Sequence, residues 1–255
     1  MSTPLNKQVA LITGAGQGVG QGIAFSLAKR GVRVVAVGRT LSKCETTVQM
    51  IKERFNVDAA ALYGDVGDLA SLESLMDQAL ACFDRLDILV NNAVHGTIKP
   101  LLYVKLEEFE QSLRIGPQAT LRLMQLAQPH LAAQGGGNIV NLASTSAMRW
   151  DSANYGVYAA EKEAIRALTR AAANEWAAQG IRSNVILPLA SSPALAGWAE
   201  ARPEEAEAFL STVPLGRIGD CEADIGEFVA TLCSPESRYI NGQSIAIDGG
   251  QANLG

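Results

Sequence analysis

The chain of 255 residues is mildly acidic, with 21 Lys and Arg against 26 Asp and Glu and a net charge of −5. Its basic residues are scattered instead of forming a stripe, which argues against a nucleic-acid partner. Residues 1–7 lack the features of a signal peptide and no apolar run approaches the roughly 20 residues that span a bilayer, so we predict a cytoplasmic protein without membrane contact.

The composition predicts one compact domain over residues 1–255. Hydrophobic residues make up 48% of the chain, which is enough for a sizeable core, and no linker, repeat or low-complexity tract divides it. The four cysteines have no C-x-x-C spacing and are predicted to be reduced and mostly buried. The two histidines stand outside any cluster of metal ligands, so no metal site is predicted.

The first elements form a strand-helix-strand unit. Residues 8–13 are predicted as an apolar strand, residues 21–30 as a helix and residues 32–37 as a second strand. The turn at 14–20 reads GAGQGVG, and its glycines allow a tight turn and close approach of the backbone to a pyrophosphate. The helix would point its free N-H groups at the phosphates, so the unit predicts dinucleotide binding.

The end of the second strand bears on which dinucleotide is preferred. An acidic residue here would bind both ribose hydroxyls and select NAD, but the chain reads Val37-Gly38-Arg39-Thr40. Arg39 can make a charge-assisted contact with a 2′-phosphate, so NADP(H) is predicted as the preferred cofactor, with NAD(H) possible. The alternative is that Arg39 merely faces solvent.

Further apolar runs predict the rest of the fold. They are centred near Ala60, Leu89, Val140, Val185 and Ile245 and are separated by helix-length segments. With the first two strands they predict an α/β, Rossmann-like, doubly wound sheet of about seven parallel strands flanked by helices. Ligands of such sheets bind at the carboxyl ends of the strands. The residues predicted to follow a strand there are Gly14, Asp65, Asn91, Ser144 and Pro188.

Tyr158 and Lys162 form the clearest candidate for chemistry. Residues four apart lie on one face of a helix, so the ammonium can sit beside the phenol and favour its ionised form. A bare Tyr-x-x-x-Lys pair is more often a solvated helix face, and only the rest of the sequence supports the functional reading. Tyr155 is the rival phenol, but its i+4 residue is Ala159.

The spacing of Gly14, Gly18 and Gly20, taken with Tyr158 and Lys162, resembles that of the short-chain dehydrogenase/reductase family, and in particular its 3-oxoacyl-acyl-carrier-protein-reductase-like members. The resemblance continues through Asn91-Asn92-Ala93 and through residues 138–144, 188, 214–219 and 240–250. It therefore covers nearly the whole chain.

The resemblance implies reversible hydride transfer between a carbonyl and NADP(H). Tyr158 would donate or accept the proton. Lys162 would lower the pKa of the Tyr158 phenol and hold the nicotinamide ribose. Ser144 would orient the substrate oxygen, with Ser146 as a competitor for that role. A homo-oligomer, dimer or tetramer, is also implied. The implied cofactor-binding residues are Gly14, Gln17, Gly18, Val19, Gly20, Arg39, Thr40, Asp65, Val66, Asn91, Ala93, Tyr158, Lys162 and Pro188.

The chain departs from the family pattern at three places. Gly116 stands where an asparagine is usual, Val94 where a glycine is usual, and Leu189-Ala190 follows Pro188 where Pro-Gly is expected. We hypothesise that Pro117 kinks the helix and exposes carbonyls that replace the missing amide, the alternative being that Gly-Pro simply separates two helices. Glu161, next to Lys162, is predicted to be solvated. These departures leave a catalytically impaired cofactor-binding sensor or scaffold as the alternative function.

Substrate specificity is predicted to come from aromatic and imidazole side chains and from a lid. The lid would cover residues 189–213, and single aromatic residues there can equally be plain packing. Nothing in the sequence specifies which small carbonyl or alcohol is bound. The candidate substrate residues are His95, Trp150, Tyr155 and Trp198.

Overall fold

The structure, a computed structural model, describes residues 5–149 and 154–252. Its strands form one parallel sheet in the order β3-β2-β1-β4-β5-β6-β7. The predicted fold class is therefore confirmed, and the predicted strand ends differ by about one residue. The strands are β1 (Val9–Thr13), β2 (Arg33–Gly38), β3 (Ala59–Tyr63), β4 (Ile88–Asn91), β5 (Gly137–Leu142), β6 (Ile181–Pro188) and β7 (Ser244–Ile247).

Helices cover both faces of this sheet. Two stretches, Arg114–Gln118 and Cys221–Gly226, are wound more widely as π-helix, and the first of them contains Pro117. The α-helices in the described part of the chain are α1 (Gly18–Lys29), α2 (Leu41–Phe55), α3 (Leu72–Phe83), α4 (Leu106–Leu113), α5 (Ala119–Ala133), α6 (Gly156–Glu175), α7 (Pro193–Ala201), α8 (Pro203–Leu210) and α9 (Glu227–Cys233).

The core lies on both sides of the sheet, which explains why the strands read as continuous apolar runs instead of alternating ones. On β1, Ile12 packs in a cluster with Ile23 of α1 and with α9. Its neighbour Leu11 points the other way and packs in a second cluster with Leu75 of α3 and Leu123 of α5. Successive side chains of a strand point to opposite faces, so both faces must be apolar.

The strand order creates a crevice beside β1. β1 pairs with β2 on one side and with β4 on the other. The connections between strands therefore run in opposite directions on the two sides of β1. At such a switch point the loops at the carboxyl ends diverge and leave a space between them. The glycine-rich turn after Thr13 opens into this space.

The cysteines and the helices bear on two of the composition-based predictions. Cys44 and Cys233 are buried, Cys82 and Cys221 are half-buried, and all four thiols are free. Burial raises the pKa of the Cys233 thiol to about 12. Over the residues described, no helix is both long and apolar enough to cross a membrane. The cytoplasmic location and the single-domain boundaries stay predictions.

Candidate active site

A cleft of about 600 Å³ opens at the carboxyl ends of the strands, at the crevice beside β1. Its walls come from the turn after β1, the end of β2, the loops after β3, β4 and β5, the end of β6 and the start of α7. Among the residues lining it are Gly14, Gln17, Gly18, Val19, Arg39, Thr40, Asp65, Val66, Ala93, Ser144, Tyr158, Lys162 and Pro188.

The glycine-rich turn is held by Asn92. The side-chain amide of Asn92 donates to the carbonyl oxygens of Thr13 at 2.8 Å and Gly14 at 3.1 Å. Gly14 has φ +67°, and a Cβ built on it would lie 2.7 Å from Asn92 Nδ2, so the position requires glycine for both conformation and space. Sequence analysis quoted Asn92 as part of a motif without giving it this role.

The backbone beyond this turn is available to an anion. α1 begins at Gly18, which has φ +59°, and its first turn has neither a capping side-chain hydrogen bond nor an acidic residue. The unsatisfied N-H groups at a helix N-terminus carry partial positive charge and bind phosphate. Gly18 and Val19 both line the cleft.

Two basic side chains stand at the β2 end of the cleft. Arg39 is exposed and makes no hydrogen bond or ion pair with any residue that the structure describes. Lys43, in the first turn of α2, donates from Nζ to Oε1 of Gln17 at 2.6 Å. Lys43 was not predicted from the sequence as a site residue. The sequence does indicate it, because Lys43 is a second cation just inside the helix that follows Arg39. The pair gives this end of the cleft a positive charge.

Two predicted cofactor-binding residues do not line the cleft. Gly20 packs under the turn, where an added Cβ would overlap the Gly14 carbonyl and the Asn92 amide. Asn91 is the last residue of β4 and is buried; its Nδ2 donates to Oδ1 of Asn141 at 2.9 Å. Asp65 and Val66 do line the cleft, and Asp65 Oδ1 accepts from the N-H of Gly67 at 2.9 Å.

Tyr158, Lys162 and Ser144 lie at the β5 end of the same cleft. Lys162 Nζ is 5.3 Å from the centre of the Tyr158 ring and donates to the Leu142 carbonyl at 3.3 Å. Ser144 Oγ accepts from the backbone N-H of Ser146 at 3.2 Å, and the Ser146 side chain is not among the groups that line the cleft. The geometry thus gathers a phenol, an ammonium and a hydroxyl at one place.

A buried chain of hydrogen bonds sets the position of α6 against the sheet. Asn141 of β5, which accepts from Asn91, donates from Nδ2 to Thr169 Oγ1 at 2.9 Å. Thr169 in turn donates to the carbonyl of Ile165 at 2.7 Å. Buried polar groups are costly unless paired, so this network favours a single register of α6. Tyr158 and Lys162 are carried on that helix.

The predicted substrate residues differ in their surroundings. His95 lines the cleft beside Val94, and Tyr155 contacts Tyr158 edge to face at 5.9 Å between ring centres. Burial, with a smaller contribution from Tyr158, raises the pKa of the Tyr155 phenol against the influence of Arg149. Trp150 lies outside the described residues.

The predicted lid, residues 189–213, contains α7 and α8. Trp198 packs edge to face on Phe209 at 5.8 Å between ring centres and does not line the cleft. Ser192, Pro193 and Leu195 line it instead. The contact with Phe209 therefore indicates that Trp198 packs within residues 189–213.

The prediction that Glu161 is solvated is wrong. Its side chain is 0% exposed, and Oε1 lies 3.1 Å from Lys162 Nζ, whose own side chain is 3% exposed. The prediction considered only the angle between neighbouring residues on α6. It did not consider the π-helical stretch Arg114–Gln118, which packs on α6 and presents Gly116 at this point.

These groups fit a dinucleotide. The turn brings backbone N-H groups to the middle of the cleft, two cations stand at one end, and the phenol and ammonium stand at the other. Within the described ranges, no three His, Cys, Asp or Glu side chains are gathered as metal ligands. The donor set is therefore that of a phosphate-bearing organic cofactor.

Comparison with known proteins agrees with this geometry. The sequence profile of the enoyl-(acyl carrier protein) reductase family matches residues 14–252. The chain is 34% identical over 250 residues to 12α-hydroxysteroid dehydrogenase of Clostridium sp., covering 95% of this chain and 96% of that protein.

Two solved structures are also similar. L-sorbose reductase of Gluconobacter frateurii, complexed with NADPH and L-sorbose, has a TM-score of 0.89 and 27% identity, with 98% of each chain covered. A 7α-hydroxysteroid dehydrogenase complexed with NADH and 7-oxo glycochenodeoxycholic acid has a TM-score of 0.92 and 31% identity, with 98% of this chain and 97% of that one covered. The chain belongs to the short-chain dehydrogenase/reductase family of oxidoreductases.

Proposed function

We propose that the protein is an NADP(H)-dependent oxidoreductase that interconverts a carbonyl and an alcohol. The observation that carries the proposal is the presence of Ser144, Tyr158 and Lys162 in the cleft that also contains the glycine-rich turn. The retention of all three groups favours an enzyme over the alternative of a cofactor-binding sensor or scaffold.

In this mechanism the Tyr158 phenol donates its proton to the carbonyl oxygen as the alcohol forms, and accepts one in the reverse direction. The ammonium of Lys162, 5.3 Å from the ring centre, stabilises negative charge that develops on the phenol oxygen. The Ser144 hydroxyl donates a hydrogen bond to the substrate oxygen and holds it in reach of the phenol. A nicotinamide held in the cleft beside Tyr158 and Lys162 would supply or accept the hydride.

We assign the preference for NADP(H) to Arg39 and Lys43. Arg39 is exposed at the end of β2, with no partner among the described residues, and no acidic residue stands beside it in the sequence 37–40. Lys43 lines the same end of the cleft. Two cations there favour a 2′-phosphate, and the similar L-sorbose reductase was solved with NADPH.

The substrates named for the relatives suggest where to search. They are hydroxysteroids and a ketose, both of which are secondary alcohols or ketones on a multi-carbon skeleton. Such a skeleton would contact side chains that line the cleft, namely His95 and Val94 on one side and Leu195 of the lid on the other. A secondary alcohol or ketone on a multi-carbon skeleton is therefore the substrate class that we propose.

The test is consumption of NADPH, with NADH in parallel, against oxo-steroids, ketoses, simple ketones and β-ketoacyl thioesters. We expect turnover with at least one class and faster turnover with NADPH than with NADH. If no class is reduced, thermal unfolding with each nucleotide distinguishes the alternatives. Stabilisation by NADPH without turnover would favour the sensor or scaffold, and no binding of either nucleotide would contradict the assignment of the cleft.

A homo-oligomer is part of the proposal. Along α6, the small residues Ala160, Ala167 and Ala171 are exposed, so they belong to an outer face of the helix and not to the core. Small side chains permit close contact between helices of two copies. We expect light scattering to give the mass of a dimer or tetramer, and a monomer across the working concentration range would contradict this.

A further inference from the structure

Glu161 is the buried charged residue whose role the mechanism above leaves open. Its side chain is 0% exposed, and neither carboxylate oxygen makes a hydrogen bond of acceptable geometry within the described parts of the chain. A buried carboxylate is costly without strong compensation. Burial raises the pKa of Glu161, and the neighbouring Lys162 opposes that rise. Nothing about packing alone requires a carboxylate here.

The space that Glu161 occupies exists because residue 116 is glycine. A Cβ built on Gly116 would lie 2.6 Å from Cδ of Glu161 and 2.8 Å from its Oε1, and closer still to its Cγ. Real Cβ atoms do not approach other atoms so closely, and the surrounding core leaves a fully buried side chain little room to move. A side chain at 116 and the Glu161 side chain therefore compete for one site.

The contact that Glu161 makes there is with Lys162. Oε1 lies 3.1 Å from Lys162 Nζ, and the other described contact of this ammonium is the Leu142 carbonyl at 3.3 Å. The carboxylate at ion-pair distance and the carbonyl that accepts a hydrogen bond together restrict where the ammonium can stand. Both hold it close to the Tyr158 ring, whose centre is 5.3 Å away.

We propose that Glu161 is a positioning residue for Lys162, and that Gly116 is present in this chain to make room for it. The proposal rests on the proposed function for its kinetic consequence. The carboxylate attracts the ammonium as an ion pair and keeps it beside Tyr158. It does so from the space that a side chain at 116 would otherwise fill. Gly116 and Glu161 are therefore coupled, because the absence of a side chain at 116 leaves the space that the Glu161 side chain fills.

The first experiment compares two replacements of equal length. Glu161→Gln fills the space and keeps a polar oxygen that can face the ammonium, whereas Glu161→Met fills the space without one. We expect the Met variant to lower kcat and to weaken NADPH binding by about tenfold each, the lower end of the effect of losing a polar contact with a charged group. The Gln variant should keep both close to the wild type. If the Met variant equals the wild type in kcat and in NADPH affinity, Glu161 only fills space and the proposal is overturned.

The second experiment needs neither substrate nor nucleotide. In thermal unfolding, Gly116→Asn alone should lower Tm by roughly 5 °C, because its side chain overlaps Glu161. Gly116→Asn with Glu161→Ala should regain most of that loss. Lys162→Met should lower Tm less in the Glu161→Met protein than in the wild type. Additive effects in both pairs would overturn the proposal even if the enzyme is active, and coupling would support it even if no substrate were found.

Discussion

Tyr158→Phe is expected to lower kcat by roughly a hundredfold to ten-thousandfold, the contribution typical of a positioned general acid. The substitution removes only the phenol oxygen, so the ring remains beside Lys162, whose Nζ lies 5.3 Å from its centre. NADPH affinity should change little. Steady-state kinetics on the substrate found in the panel, with a fluorescence titration of NADPH, would measure the two effects separately.

Tyr155→Phe provides the matched control for this experiment. Tyr155 lies against Tyr158 at 5.9 Å between ring centres, so its replacement removes a neighbouring phenol without touching the pair with Lys162. Burial raises the pKa of Tyr155, which makes it a poorer acid. We expect nearly unchanged kcat. A larger loss for Tyr155→Phe than for Tyr158→Phe would exchange the roles of the two tyrosines.

Arg39→Asp is expected to reverse the preference between the two nucleotides. The guanidinium has no described partner, so its charge is available to a 2′-phosphate, and a hydrogen-bonded contact of this kind is worth about 1.5–3 kcal/mol. Its loss, with repulsion from the new carboxylate, should raise the Kd of NADPH by about 100-fold. The same carboxylate can bind ribose hydroxyls, so the Kd of NADH should fall or stay unchanged.

The control for net charge is Lys52→Asp. Lys52 lies on α2 like Lys43 but in its last turn and outside the cleft, and its replacement changes the net charge by the same amount as Arg39→Asp. It should leave both affinities unchanged. Lys43→Ala should weaken NADPH binding less than Arg39→Asp does. Equal loss of NADPH affinity in the Lys52 variant would mean that long-range charge, and not contact at Arg39, selects the nucleotide.

The fold could be predicted from the sequence because both faces of this sheet are buried. Runs such as 9–12 and 34–37 are apolar without interruption, and few other structures require that pattern over so short a length. The glycine spacing and the Tyr158 and Lys162 pair depend on local geometry, which sequence spacing fixes. Those parts of the site could therefore be proposed from the chain alone.

The roles of Glu161, Asn92 and Trp198 could not be predicted from the sequence, because they depend on contacts between separate elements. The burial of Glu161 requires knowing that a stretch 45 residues earlier packs on α6. The role of Asn92 requires knowing that β4 lies next to β1. Trp198 could be assigned to the predicted lid segment, but its packing on Phe209 follows from how α7 meets α8. Pairings of this kind have no signature at the level of neighbouring residues.

The hydrogen bonds by which Asn92 holds the glycine-rich turn have a consequence for how the protein is synthesised. Asn92 reaches the carbonyl of Gly14 across 78 positions of sequence, so a growing chain completes the turn long before it contains the residue that secures it. The first strand-helix-strand unit emerges from the ribosome before β4 has been synthesised. Nucleotide can therefore stabilise the nascent protein only late in its synthesis. We expect chains that end before β4 to depend on chaperones and not on cofactor supply.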